Sequence, residues 1–140
     1  MAIPVTMIAI DPAGPGGPEV LQPVERAVPV PAEGGVLIRV AAAGVNRPDV
    51  LQRRGMYPPP PGAPSVPGLE VAGEVVAVGD GVAADAIGRK VCALVAGGGY
   101  AEYCVAPLGQ CLPVPAALTM IEAASLDLVY WLEDCGYPSI

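Results

Sequence analysis

The stretch from Gly68 to Val82, Gly-Leu-Glu-Val-Ala-Gly-Glu-Val-Val-Ala-Val-Gly-Asp-Gly-Val, constrains the fold more than any other part of the chain. Val71, Val75, Val76 and Val78 supply the β-branched density of a strand, and Glu70, Gly73 and Glu74 interrupt it. A glycine inside a strand marks a bend or the close approach of a second backbone. Gly79-Asp80-Gly81 then reads as a tight hairpin-type turn, because glycine accepts the positive φ that such turns demand. The stretch predicts a long, bent strand that passes through two sheets of a small barrel and ends in a sharp reversal.

Composition supports β structure. The chain of 140 residues fits one domain and has 53% hydrophobic residues, but it lacks Phe and has one Trp, so Val, Ala, Leu and Ile must fill the core. Eighteen Gly and 18 Pro would signal disorder in a polar chain. Set between β-branched runs, they instead predict short strands and many turns.

A net charge of −7 excludes nucleic acid and anionic membrane surfaces as expected partners, since both need clusters of Lys and Arg. No apolar run approaches the roughly 20 residues of a membrane helix, and no signal peptide is evident, so a cytoplasmic location is expected. Cys92, Cys104, Cys111 and Cys135 form no Cys-x-x-Cys pair and read as reduced, mostly buried thiols. Histidine is absent, which excludes Ser-His-Asp and Cys-His catalysis and every imidazole-ligated zinc site.

Taken in order, residues 3–10 and 20–28 read as extended segments flanking a Gly/Pro loop at 14–18. Val36 to Val45 reads as a central strand. In Asn46 to Arg54, Asn46 suits a cap, Pro48 a first turn, and Val50 and Leu51 a short apolar face, predicting a helix of about two turns ended by Gly55. Tyr57 and the four prolines after it form a stiff loop that would present Asn46, Asp49 and Tyr57 beside the start of the organising strand. Strands at 91–95 and 100–106 flank Gly97-Gly98-Gly99, and a short strand lies near 111–114. Thr119-Met120-Ile121-Glu122 is a capping box, after which Ile121, Ala124, Leu128 and Leu132 keep helical spacing.

Gly79-Asp80-Gly81-Val82-Ala83-Ala84 imitates a dinucleotide fingerprint, but that chemistry needs a long helix next, and Gly88 arrives too soon. It reads as a turn. On residue type alone, Asn46 is as well explained by helix capping and Tyr57 by packing on the prolines; Asp49 fits a first-turn charge answering the helix dipole. Arg53 and Arg54 are expected on a solvated helix face rather than on a cofactor phosphate.

Two motifs together carry a resemblance: Gly44-Val45-Asn46-Arg47-Pro48-Asp49-Val50-Leu51-Gln52-Arg53-Arg54-Gly55-Met56-Tyr57 and Pro67-Gly68-Leu69-Glu70-Val71-Ala72-Gly73-Glu74-Val75. With Gly98-Gly99-Tyr100-Ala101-Glu102-Tyr103 they resemble the zinc-free quinone oxidoreductase (zeta-crystallin-like) branch of the medium-chain dehydrogenase/reductase superfamily, from about Met7 to Ala124. The resemblance implies a mainly-β, GroES-like, partly open β-barrel with one short helix and a C-terminal helix: residues 1–118 as the domain, 119–140 as helix and divergent tail. It implies hydride transfer from NADPH to a quinone or related enone. Tyr57, Asn46 and Asp49 would be the catalytic residues, and Asn46, Arg47 and Tyr57 the cofactor contacts. Tyr57 would donate to the quinone oxygen, Asn46 would orient nicotinamide or substrate, and Asp49 would fix the helix beside them.

Zinc-dependent relatives put Cys near Asn46, His at the position of Leu69 and a four-cysteine lobe after Val95; this sequence has none of these, so no metal is expected. After about Ser125 the resemblance stops, and the family's Gly-rich dinucleotide-binding half does not follow. The expectation is a truncated or frameshifted product that binds NADPH poorly and turns over little, with homodimerisation possible. The rival reading is a non-catalytic binding or dimerisation module; a chaperonin-like cap shares the fold alone.

Overall fold

A computed structural model describes residues 2–126. Strands β1 (Thr6–Pro12) and β2 (Leu21–Ala27) pair antiparallel, with Thr6 opposite Ala27 and Pro12 opposite Leu21. Five further strands, β3 (Gly35–Ala43), β4 (Glu70–Val78), β5 (Lys90–Leu94), β6 (Tyr103–Pro107) and β7 (Cys111–Pro113), form one antiparallel sheet in the order β6-β3-β4-β5-β7. Helix α1 (Arg47–Arg53) links β3 to β4, and α2 (Met120–Ala123) follows β7. The small sheet docks where Ile10 N–H donates to the Tyr100 carbonyl at 2.7 Å and Glu102 N–H to that of Ile8 at 3.1 Å. The result is the mainly-β, partly open fold expected, with β4 in the middle of the larger sheet.

β4 does not pass through two sheets as expected. It stays in one, and the bend comes from two bulges that skip Ala41 on β3 and Val76 on β4. Each bulge reverses the pleat. Val36, Ile38 and Val40 face the core, but beyond Ala41 it is Ala43 that does, while Ala42 turns to the opposite face under α2. On β4, Val71 and Val75 are followed inward by Val78 rather than Ala77. Gly73 marks the other possibility, a close approach, here to the Arg39 backbone of β3.

The reversal after β4 is broader than a two-residue hairpin. Gly81 takes φ +79° and Val82 N–H donates to the Gly79 carbonyl at 3.3 Å, but a 3-10 turn at Ala84–Ala86 precedes β5. No helix follows the Gly-Asp-Gly there, so no row of amides could meet a pyrophosphate.

The main core joins Val36, Ile38, Val71, Val75, Val91, Ala93, Val95, Cys104 and Ala106, and each fully buried valine or isoleucine contributes about 1.5–3 kcal/mol. The second face of β4 and β5, through Ala72 and Cys92, receives Ala123 and Ala124 of the α2 turn. Thr119 and Glu122 close their capping box, with Glu122 N–H donating to Thr119 Oγ1 at 3.2 Å and Thr119 N–H to Glu122 Oε2 at 2.8 Å. Of the apolar face expected through Ile121 and Ala124, Ala124 is buried as expected but Ile121 is 73% exposed, and Ala123 takes the second buried position instead. Leu128, Leu132 and Cys135 lie outside the described residues.

Burial pushes the Cys104 thiol up to about 12 and the Cys111 thiol up to about 11, the neighbouring cysteine adding to each. An acid whose pKa is raised by folding contributes stability that is complete below its unfolded value and lost as pH rises toward the folded one. Urea midpoints should therefore hold steady from pH 7 to about 8.5 and fall by pH 10. A Cys104→Ala variant should show a shallower fall. Equal midpoints at pH 7 and 10 would contradict the burial of these thiols.

Candidate functional site

The site lies where β3 hands over to α1, against the start of β4. Gly44 N–H donates to the Glu70 carbonyl at 2.9 Å, extending the β3–β4 ladder by one residue. A Cβ on Gly44 would sit 2.6 Å from the Ala124 carbonyl oxygen and 2.8 Å from Glu70 Oε2, so only glycine lets the chain pass. Asn46 then takes an extended conformation (φ −119°, ψ 160°) at the N-cap of α1, and Pro48 fits the first turn, where its missing N–H costs nothing.

Asp49 organises what surrounds it. Its Oδ2 accepts from Asn46 N–H at 2.9 Å and from the Tyr100 hydroxyl at 2.9 Å, and its Oδ1 accepts from Gly68 N–H at 3.1 Å. One carboxylate thus ties the head of α1 to the entry of β4 and to the glycine-rich segment before β6. Asn46 Nδ2 donates to Glu70 Oε2 at 3.2 Å, placing a second carboxylate beside the first. Asp49 and Glu70 are both buried, at 4% and 7% exposure. Burial, then the Asp49 charge and the hydrogen bond to it, raise the Tyr100 pKa, so its hydroxyl stays protonated as a donor.

The expected residues therefore divide. Asn46 and Asp49 are brought together and fixed. Arg47 is exposed and makes no ion pair among the described residues. Tyr57 is 39% exposed, and no hydrogen bond draws its hydroxyl into the Asp49 cluster. Asp49 does more than answer the helix dipole, because two of its three donors come from outside the helix.

The inner face of α1 is also polar rather than apolar. Val50 and Leu51 are half-buried, whereas Asp49 and Arg53 are buried. Arg53, expected in solvent, instead donates through Nη1 to the Gly16 carbonyl at 2.9 Å, and Gly16 N–H donates back to the Arg53 carbonyl at 3.0 Å. Gly55, at φ +75°, ends the helix as expected.

Glu70 and Tyr100 were not among the expected site residues. Glu70 looks like an interruption in a strand when read by alternation. The signal for Tyr100 was the glycine run before it, which lets that segment lie against Gly68: a Cβ there would be 2.6 Å from Tyr100 N.

A cavity of about 620 Å³ opens elsewhere, between the proline loop at 60–64, Gly97–Gly98, Met7 and Tyr103. It is mostly apolar and does not include Asn46, Asp49 or Tyr57. The polar convergence, not this cavity, marks the candidate site, because orienting a ligand requires placed donors and acceptors. Among the described residues no group of three His, Cys, Asp or Glu side chains could hold a metal ion, and no helix is long and apolar enough to cross a membrane.

Residues 32–116 match the alcohol dehydrogenase GroES-like domain, and the chain belongs to that family. It is 40% identical over 118 residues to the quinone oxidoreductase of Rattus norvegicus, covering 83% of this chain and 36% of that protein. The crystal structure of the human synaptic vesicle membrane protein VAT-1 homolog-like protein superimposes with a TM-score of 0.82 and 33% identity, over 95% of this chain and 45% of that one. A mycobacterial protein solved in complex with NADPH gives a TM-score of 0.79 and 37% identity, over 95% of this chain and 42% of that one. The chain thus spans about a third of the length of the curated relative and less than half of either structure.

Proposed function

We propose that this chain forms the substrate-side wall of an NADPH-dependent quinone oxidoreductase that works without zinc. Residues 1–118 are the GroES-like domain in this reading, and 119 onward begins its exit. The observation that carries it is the Asp49 cluster, which freezes the head of α1 while leaving Arg47 and the Tyr57 hydroxyl uncommitted. An exposed cation next in sequence to a fixed amide, with an uncommitted hydroxyl on the loop after α1, suits an anionic cofactor and a carbonyl acceptor, so the donor set fits NADPH and a quinone. NADPH, when bound, supplies the hydride.

The chain's own residues orient and polarise. Tyr57 donates to the quinone oxygen as negative charge grows on it, which stabilises the transition state more than the ground state. Asn46 holds the reactants in register through its amide, and Asp49 is a positioning residue that acts by holding Asn46. A quinone suits a site without a Lewis acid, since hydride addition leads to an aromatic hydroquinone anion. Hydride transfer needs the reactants confined on both sides, and these 140 residues supply one wall, so turnover by the chain alone should be slow.

Binding tests this better than turnover. Titrating a 15N-labelled chain with a soluble quinone and NADPH should shift the amides of Asn46, Arg47 and Tyr57 saturably. A Tyr57→Phe variant should weaken quinone binding about three- to tenfold, the value of one hydrogen bond to a polarised acceptor. Shifts confined to the apolar cavity near Tyr103, or none at any ligand concentration, would favour a non-catalytic binding module instead.

A further inference from the structure

The buried guanidinium of Arg53 is unexplained by the quinone site. It sits at the far end of α1 from Asn46, seven residues or about 10 Å along the helix. Its side chain is 8% exposed when counted with its backbone, yet no carboxylate lies within 4.0 Å of it among the described residues. Arg26, Arg39 and Arg89 each pair with a carboxylate instead. Buried charges are ordinarily paired, because removing an ion from water without compensation is strongly unfavourable. The Gly16 carbonyl satisfies one donor of Nη1, and the carbonyl end of α1 offsets part of the charge. That leaves most of a five-donor fork unused.

The unused donors are not sealed in. Among the described residues no buried side-chain nitrogen or oxygen lacks a partner, so the Arg53 nitrogens without one keep some contact with solvent. They border a shallow cavity of about 490 Å³ walled by Pro15, Gly16, Gly17, Pro18, Arg53 and Arg54. Arg54 is exposed and also unpaired among the described residues. Glu19, in the same loop, accepts from Gly17 N–H at 3.0 Å and pairs with neither arginine among the described residues.

We infer that this notch binds a phosphate group, with Arg53 as the fixed anchor and the exposed Arg54 as the second cation. Two guanidinium forks match the oxygens of a phosphate in geometry and charge, and the cavity is roomier than inorganic phosphate alone requires. A phosphomonoester of a small organic molecule is the ligand class that fits. The ligand adds a counter-charge to Arg53, a buried residue that pairs with no carboxylate among the described residues, and so should stabilise the fold as well as bind.

The test is a thermal-shift titration of the full chain with inorganic phosphate and, separately, phenyl phosphate, at ionic strength fixed with KCl. Both should raise the melting temperature saturably with a dissociation constant of about 1 mM, the phenyl ester binding more tightly. Arg54→Gln, at an exposed position, should melt normally without ligand and bind about tenfold more weakly. Arg53→Lys should weaken binding further; if it fails to fold, Arg54→Gln alone decides. Absence of saturation at fixed ionic strength, or an unchanged shift in Arg54→Gln, overturns the assignment. Tighter inorganic phosphate than phenyl phosphate would restrict the site to the free ion and overturn the ester.

Discussion

Asp49→Ala should lower the stability of the chain by about 3–5 kcal/mol, the range for removing one partner from a buried charged network. The substitution strands three donors at once: Asn46 N–H, Gly68 N–H and the Tyr100 hydroxyl. The first two are backbone groups in segments that cannot turn toward water without pulling α1 or the entry of β4 away from the sheet. For a domain of this size the loss corresponds to a fall of roughly 10–15 °C in melting temperature. Tyr100→Phe removes a single donor and should cost only about 1–2 kcal/mol. Asp49→Asn should fall between the two, because its amide keeps one acceptor but turns an N–H toward groups that themselves donate. Thermal melts of the three variants read this order directly. An Asp49→Ala chain within 1 kcal/mol of the parent would show that the cluster is decoration on a fold held elsewhere.

What the sequence disclosed and what it concealed divide by range. The head of α1 was legible because Asn46, Pro48 and Asp49 act within one turn, and so was the Thr119–Glu122 box. Local capping chemistry is written in consecutive residues. Arg53 was misread because its partner, the Gly16 carbonyl, lies 37 residues away and belongs to a loop with no side chain to advertise it. Glu70 was read as a break in β4 for the same reason: its partner Asn46 is 24 residues upstream. The bulges at Ala41 and Val76 were invisible because both are small or β-branched residues that continue the apolar pattern, so the change of pleat leaves the pattern's composition intact. The candidate site is half local and half long-range, and only its local half could be read.

Gly73 joins the two scales, since a strand glycine was expected to mark either a bend or a close approach and the structure assigns it the second. Gly73→Ala should destabilise the chain by about 3–4 kcal/mol, the upper range for steric overpacking in a core. Strand preference alone predicts the opposite sign, because alanine in a strand interior is favoured over glycine by about 0.5–1 kcal/mol. Sterics decide the matter. An added Cβ would overlap the Arg39 carbonyl oxygen and lie 2.8 Å from Ile38 Cγ2 and 2.9 Å from the Arg39 carbonyl carbon. The oxygen and carbon belong to the β3 backbone, and Ile38 is fully buried, so no side chain can swing aside to make room. Relief would require β3 and β4 to separate at the centre of the sheet, next to the bulge that turns Ala42 toward α2. Gly109→Ala serves as the control: a Cβ there meets nothing within 4 Å, and the change should alter stability by no more than about 0.5 kcal/mol. Urea unfolding of the two variants against the parent measures both. If Gly73→Ala shifts the midpoint upward or leaves it in place, β3 and β4 do not pack as closely as described, and the seat of the Asn46–Glu70 contact goes with them.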